Sequence, residues 1–416
     1  MSVGRTYHLV TLGCPKNQVD SDKLEATLVA DGMAGVDAAE DADVVVVNTC
    51  AFVEQARAES IDTILDLSSR NPQAELVVTG CLAERSGPEL SNALPEVDRV
   101  AGFGVPVTLG TKADRAPTLD LLNLPRPASP RPWAYVKIAE GCDRACGFCA
   151  IPTFRGPQRS RTIEQILTEV DQLAVREVVL VAQDLAAYGR DQGQGSRDLV
   201  PLLGALAHRV DWIRLLYLYP SDLDDRLVGA ILDTGVPYFD LSLQHVSRPL
   251  LASMRRWGDG GRFLDRITDI RDQAPEAVFR SNFIVGYPGE TEADHDALLQ
   301  FVHDAQLDWC GFFPYSREQN THADRLGGHV PAALAIERLG ELTEIQDSIT
   351  ARKRDEMVGR EVRVLVDEIG VARGVAEAPE IDGIVEVSPS LAVGHFHRVE
   401  VVGALGPDLI ATGAGP

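Results

Sequence analysis

Cys142, Cys146 and Cys149 fall within eight positions, in the run Glu140-Gly141-Cys142-Asp143-Arg144-Ala145-Cys146-Gly147-Phe148-Cys149. A cubane iron–sulfur cluster normally takes four cysteine thiolates. A tight loop that offers three holds three irons and leaves the fourth without a protein ligand. An open position on a metal is where a substrate binds. A structural zinc knuckle would need a fourth Cys or His close by, and none stands there. The chain has seven cysteines, an odd number, with three of them in this one loop. In an intracellular chain that pattern argues for metal rather than disulfides.

The bulk composition sets the frame for that loop. The 416 residues are 45% hydrophobic and 24% charged, an ordinary globular balance with room for two or three domains. The opening Met1-Ser2-Val3-Gly4-Arg5 reads as no signal peptide. No run of about 18 apolar residues marks a membrane span. The expectation is a cytoplasmic protein without a membrane partner. The net charge of −23 repels phosphate backbones over most of the surface, so a basic partner suits it better than bare nucleic acid.

The first hundred residues repeat one pattern. Tyr7–Gly13, Asp43–Thr49 and Glu75–Gly80 are strand-like, and they end at Cys14, Cys50 and Cys81. Helical segments, Asp20–Asp31 and Glu54–Ser69, lie between them. Apolar strands alternating with helices predict a parallel sheet covered on both faces. Right-handed crossovers put every strand C-terminus on one edge, where open α/β sheets bind ligands. Three cysteines distant in sequence therefore converge, which points to a second metal cluster with three ligands. Taken singly, each is a buried structural thiol. Lys16, one turn past Cys14, reads as solvated. Cys310, in the aromatic run Trp309-Cys310-Gly311-Phe312-Phe313, reads as inert core.

A Pro-rich linker leads to a second alternation. Strands are expected at Ala134–Ala139, Glu177–Gln183, Trp212–Tyr219, Tyr238–Leu243, Val278–Gly286 and Leu307–Pro314. Helices are expected at Thr162–Ala174, Leu199–Val210, Asp224–Thr234, Arg262–Ala274 and Thr291–Gln306. Six βα units are too few for a closed eight-stranded barrel, so the expectation is a partial one with its site at the strand C-termini. Gln183, Ser242, Gln244, Asn282 and Gly286 stand at those ends and are candidates to hold a cofactor. Thr291 reads as a helix N-cap. The long helix Ala332–Arg354 reads as a spacer. Residues 359–416 turn to short β-branched strands, a small β-barrel. That barrel holds four arginines against nine acids, a balance of 4 − 9 = −5. A barrel that grips RNA should be basic. Glu380 and Asp382 are therefore expected on a surface that meets a basic protein.

The full order resembles the methylthiotransferase family, and the Cys142–Cys149 loop resembles that of the radical S-adenosylmethionine enzymes. Leu12-Gly13-Cys14-Pro15-Lys16-Asn17-Gln18-Val19-Asp20-Ser21 is similar to the opening signature of the RimO branch, the ribosomal-protein methylthiotransferases. So are Ala150-Ile151-Pro152-Thr153-Phe154-Arg155-Gly156 and Ala378-Pro379-Glu380-Ile381-Asp382-Gly383, the latter in a tail that resembles a TRAM domain. The resemblance implies an α/β chain with four segments. They are an N-terminal domain (1–118), a linker (119–132), a partial (βα)6 radical core (133–357) and the tail barrel (358–416). It implies methylthiolation of the β-carbon of an aspartate in the twelfth small-subunit ribosomal protein, a basic partner. It implies S-adenosylmethionine and two 4Fe-4S clusters. Cys142, Cys146 and Cys149 would hold the radical one, and Cys14, Cys50 and Cys81 the auxiliary one. An electron donor such as flavodoxin or ferredoxin goes with that chemistry. Two rival readings share parts of the pattern. A tRNA-adenosine methylthiotransferase has the same architecture, but the acidic tail and Cys14-Pro15-Lys16-Asn17 argue against it. A non-catalytic iron–sulfur scaffold needs neither two incomplete cysteine triplets nor polar strand ends.

Overall fold

A computed structural model of the chain describes residues 5–103, 120–193 and 199–413. The boundary expected at 118 and the first linker position, 119, lie outside these residues. Among the described residues no helix is long and apolar enough to cross a membrane.

Five parallel strands build the N-terminal sheet: Thr6–Thr11 (β1), Ala34–Gly35 (β2), Val44–Thr49 (β3), Glu75–Gly80 (β4) and Arg99–Ala101 (β5). Their order is β2-β1-β3-β4-β5, so the three cysteine-tipped strands are neighbours. The central β3 is buried along its whole length, which explains its unbroken apolar run. Helices Pro15–Ala30 (α1), Glu54–Arg70 (α2) and Cys81–Ala93 (α3) cover the sheet. The first helix starts five residues before the expected Asp20. Pro15 sits at its first turn, where a missing N–H costs nothing. Sequence reading passed over α3 altogether. Ser86 leaves helical geometry (φ −137°) and Pro88 lies inside the helix, so the segment lacks a continuous helical pattern.

The core domain carries six parallel strands, Trp133–Lys137, Glu177–Val181, Trp212–Leu215, Tyr238–Gln244, Val278–Val285 and Trp309–Pro314. They form two three-stranded sheets joined by a parallel bridge between Leu218 and Leu241. Alternation along these strands divides two faces. Val136, Leu180, Ile213, Phe239, Phe279 and their alternates pack under the helices in the largest core. Cys310 packs against the same core, and burial pushes its thiol well up. Trp133, Tyr135, Val179, Trp212, Tyr238 and Trp309 point the other way, into the hollow of the partial barrel. Thr291 caps its helix in a capping box with Asp294, as expected.

The tail closes a five-stranded barrel from Glu361–Glu368, Val371–Arg373, Val385–Glu386, Phe396–Leu405 and Asp408–Gly413. Its connection around residues 374–382 leaves that barrel and enters the hollow of the core domain. Arg214 donates to the carbonyls of Val375 (2.9 Å) and Gly374 (3.3 Å). Trp309 Nε1 donates to Ala376 O (2.7 Å), and the Tyr135 hydroxyl to Pro379 O (2.7 Å). The Tyr238 hydroxyl donates to Asp382 (2.5 Å), which Arg280 also faces at 3.4 Å. Glu177 pairs with Arg373 at 2.8 Å. All six strands thus grip residues 373–382, which plug one end of the hollow. This corrects the expectation for Asp382. Its side chain is 2% exposed and serves the contact between domains, so no partner can reach it. Glu380 is exposed and pairs with Arg131. The helix Ala332–Asp355 is no spacer either. Leu342 and Ile349 are buried in the main core, and Arg338 pairs with Glu290 (2.9 Å) and Glu292 (2.8 Å).

Candidate active site

The plug leaves the strand C-termini of the hollow as its other end, and the Cys142–Cys149 loop lies there. Gly141 turns the chain into the loop at φ +83°. A Cβ there would fall 2.1 Å from the Pro157 carbonyl, so only glycine fits. The loop is anchored at both sides: Cys142 N–H donates to Gly156 O (3.1 Å) and Gly147 N–H to Met254 O (2.7 Å). Arg144 bonds Asp184 (2.6 Å), pairs with Asp222 and lies over the Tyr219 ring at 3.9 Å. Arg256 covers the same ring at 4.3 Å and donates to Cys146 Sγ at 3.3 Å.

Burial pushes the thiols of Cys142 and Cys149 up to about 11 and about 12. The three sulfurs are close enough for the charge on one to raise the next. Such thiols give up their protons only to a strong cationic centre. Among the described residues no three Cys, His, Asp or Glu side chains already surround a point at single-ion distance. A cubane, whose corner irons each take one thiolate, needs a wider triangle than one zinc ion does.

Polar atoms without protein partners collect at the same strand ends. Gln183 donates to Glu140 (2.7 Å) while its Oε1 is buried with no partner. Asn282 Oδ1 and Arg256 Nε are in the same condition. Buried polar atoms of this kind call for a ligand. They fit the charged groups of a bound S-adenosylmethionine. Ser242 is half-buried, and its carbonyl accepts from Arg256. Gln244 closes its strand at φ +71°, a strained conformation for a non-glycine residue. Gly286 lies apart from this group. Its N–H is taken by Glu290 (2.6 Å), and a Cβ on it would meet Ala335 at 3.0 Å.

The second triplet sits where the sheet edge predicts it. Cys14 is the N-cap of α1, Cys50 follows β3, and Cys81 is the first residue of α3. Asn17 stitches the three ends together. Its Nδ2 donates to Leu12 O (2.8 Å) and Thr49 O (3.0 Å). Thr49 Oγ1 donates to Thr79 O (2.5 Å), and Ser60 Oγ to Cys50 O (3.0 Å). A Cβ on Gly13 would stand 2.8 Å from Cys50 Sγ, so the cysteines approach only because position 13 is glycine. Burial raises Cys50 to about 11 and raises Cys81. At Cys14 burial also acts upward, but Lys16 and Arg155 outweigh it and hold the thiol below its ordinary value. Lys16 is thus not the solvated side chain that its sequence suggests. It is 9% exposed, with its ammonium 3.6 Å from the centroid of the Tyr217 ring.

Sequence reasoning missed what joins the two triplets. Helix Ile151–Arg155 follows directly on Cys149. Its last residue, Arg155, crosses to the N-terminal domain. Nη1 holds both Glu140 oxygens at 2.8 and 2.9 Å, and Nη2 donates to Asn17 Oδ1 and to Cys81 Sγ, each at 2.9 Å. Lys137 pairs with Asp20 and with Glu140 (2.7 Å) in the same buried network. The one signal in the sequence was the Ala150–Gly156 stretch, read only as a signature.

The family described as "Uncharacterized protein family UPF0004" matches residues 6–102, the "Radical SAM superfamily" residues 136–302 and the "TRAM domain" residues 358–413. The "Ribosomal protein uS12 methylthiotransferase RimO" of Cutibacterium acnes is 39% identical, over 98% of this chain and 97% of that protein. The protein of the same description from Aquifex aeolicus is 41% identical, over 96% and 95%. Among solved structures, the cobalamin-dependent S-adenosylmethionine radical enzyme OxsB aligns at a TM-score of 0.49 and 12% identity, over 83% of this chain and 56% of that one.

Proposed function

The chain belongs to the ribosomal protein uS12 methylthiotransferase family of radical S-adenosylmethionine enzymes, and from that premise we propose that it methylthiolates the β-carbon of an aspartate in uS12. The family uses S-adenosylmethionine and a 4Fe-4S cluster. We assign that cluster to Cys142, Cys146 and Cys149, and a second one to Cys14, Cys50 and Cys81. When bound, these groups supply the electron that breaks the sulfonium, the radical that opens an unactivated C–H bond, and the place where sulfur waits.

The side chains do the rest. Gly141 and the Gly147 amide anchor the loop that carries the three thiols. Gln183, Asn282 and Arg256 offer unpaired polar atoms to orient S-adenosylmethionine, with Ser242 and Gln244 beside them. Gly286 supports the turn behind them. The plug at 373–382 shuts one end of the hollow, which would limit the entry of water from that side. Flavodoxin or ferredoxin would deliver the electron. A ribosomal substrate puts the work in the cytoplasm. The segments 1–118, 119–132, 133–357 and 358–416 are part of the same proposal.

The observation that carries this reading is Arg155, which ends the helix that follows the Cys142–Cys149 loop and donates across a buried interface to Asn17 and to Cys81 of the other triplet. Mass spectrometry of uS12 and of tRNA nucleosides from a deletion strain tests it. Loss of one methylthio group from uS12, with tRNA unchanged, is the expected result. Loss from tRNA alone would move the enzyme to the rival branch.

A further inference from the structure

Arg155 is buried, yet none of its five partners, Glu140, Asp20, Phe103, Asn17 and Cys81, is needed to build the helix that it ends. Glu140 grips one guanidinium nitrogen with both carboxylate oxygens, at 2.8 and 2.9 Å. The Phe103 ring lies 4.5 Å from the guanidinium carbon. Together they fix the plane of the fork. Its second terminal nitrogen then has one direction left, toward Asn17 Oδ1 and Cys81 Sγ, both at 2.9 Å. The Cys81 thiol also lies 3.6 Å from Asn17 Oδ1, to which it donates, and the two accept from the same Arg155 nitrogen. The local charges balance without the thiolate: Lys137 and Arg155 stand against Asp20 and Glu140. At the sulfur Arg155 adds both its positive charge and a directed hydrogen bond, from a group that stays charged at any working pH.

Resting on the two-cluster reading above, we propose that Arg155 is a positioning residue of the auxiliary cluster: it fixes the Cys81 sulfur and raises the cluster's reduction potential from the helix that begins where the radical loop ends. Hydrogen bonds to cluster sulfurs draw charge from the irons and favour the reduced state. Because the donor rides on the helix after Cys149, the same residue sets the spacing of the two centres. A lysine cannot replace it. One ammonium cannot hold two carboxylate oxygens and still aim a second donor at Cys81.

The test uses the full-length chain with Cys142, Cys146 and Cys149 all changed to Ala, so that any cluster present is the auxiliary one. Iron content and the reduction midpoint, followed by EPR in a redox titration, are read with Arg155 intact, as Arg155→Lys and as Arg155→Gln. The expected result is about four irons per chain in each, a midpoint lower in Arg155→Lys and lower again in Arg155→Gln. Equal midpoints with equal iron overturn the role of Arg155. If Arg155→Gln does not fold, Arg155→Lys decides in the same way. Absence of iron from the triple-cysteine variant with Arg155 intact overturns the two-cluster reading and this inference with it.

Discussion

The core domain meets its two neighbours in opposite ways. Toward the tail it extends aromatic and guanidinium donors, and these end mostly on backbone carbonyls: Gly374, Val375, Ala376 and Pro379. Toward the N-terminal domain it extends Lys137 and Arg155, both held by Glu140, and these end on side chains: Asp20, Asn17 and Cys81. A contact made to carbonyls asks the incoming loop for a path and little else. A contact made to side chains asks for particular residues, and here one of them is a candidate cluster ligand. The tail interface is built to hold. The N-terminal interface holds too, and it also aligns chemistry.

The largest effect should come from removing the tail. Without residues 358–416 the hollow exposes Trp133, Tyr135, Trp212, Tyr238 and Trp309, a buried aromatic face, together with Arg214 and Glu177. The shortened chain should aggregate or lose its cooperative melt. A monodisperse 1–357 chain with an unchanged Tm would show that the plug is dispensable.

Within that interface Glu177 matters most. It is fully buried between Arg214 (2.9 Å) and Arg373 (2.8 Å), one from each domain. Both pull its carboxyl below the usual range against the cost of burial. Glu177→Gln leaves two buried guanidiniums short of a counter-charge. Breaking a pair of this kind costs about 3–5 kcal/mol, to be read from denaturant midpoints. A cost below about 1 kcal/mol would make the tail contact a backbone affair alone.

At the N-terminal interface Lys23 supplies a pH signature. It pairs with Glu169 of the core domain at 3.6 Å and donates to Leu122 O at 2.6 Å. Burial depresses its ammonium from the ordinary 10.5 to about 8. Below pH 8 it is charged whether the chain is folded or unfolded, and its burial cost is constant. Between pH 8 and 10.5 the unfolded chain holds more protons, so stability rises with pH. Lys23→Met cannot titrate. The stability of the parent relative to this variant should therefore climb across that window, as chemical denaturation at pH 7.5 and 9.5 would show. A constant difference would break the assignment.

Legibility followed locality. The Cys142–Cys149 loop was readable because its chemistry lies in eight consecutive residues. The edge that gathers Cys14, Cys50 and Cys81 was readable because parallel topology has one hand. The six strands of the core showed through their apolar runs. The plug did not, because it is held largely through the carbonyls of Gly374, Val375, Ala376 and Pro379, which every residue type carries, and Ala378–Gly383 was read only as a signature. Arg155 did not, because its contact with Cys81 spans 74 positions. Lys16 misled because solvation is the ordinary fate of a lysine, and only the approach of Tyr217 overrides it.

The smallest effect separates the two acids that sequence reasoning had placed side by side on one surface. Asp382 accepts from Tyr238 and from the Ala378 amide (2.9 Å) and faces Arg280. Asp382→Lys would drive a cation against Arg280 and should unseat the plug. Glu380 is different. Its side chain is 47% exposed, and its partner Arg131 is 42% exposed, so the pair is worth roughly 0–1 kcal/mol. Glu380→Lys should therefore melt within a few degrees of the parent. Glu380 also lines, with Gln18, Tyr135 and Ile381, a cleft of about 370 Å³ that opens beside Cys14. If a basic substrate passes there, Glu380→Lys raises KM for uS12, more so at low salt, and leaves cleavage of S-adenosylmethionine without uS12 unchanged. An unchanged KM would confine the tail to its structural role, and the comparison between the two interfaces would then be complete on the side of holding.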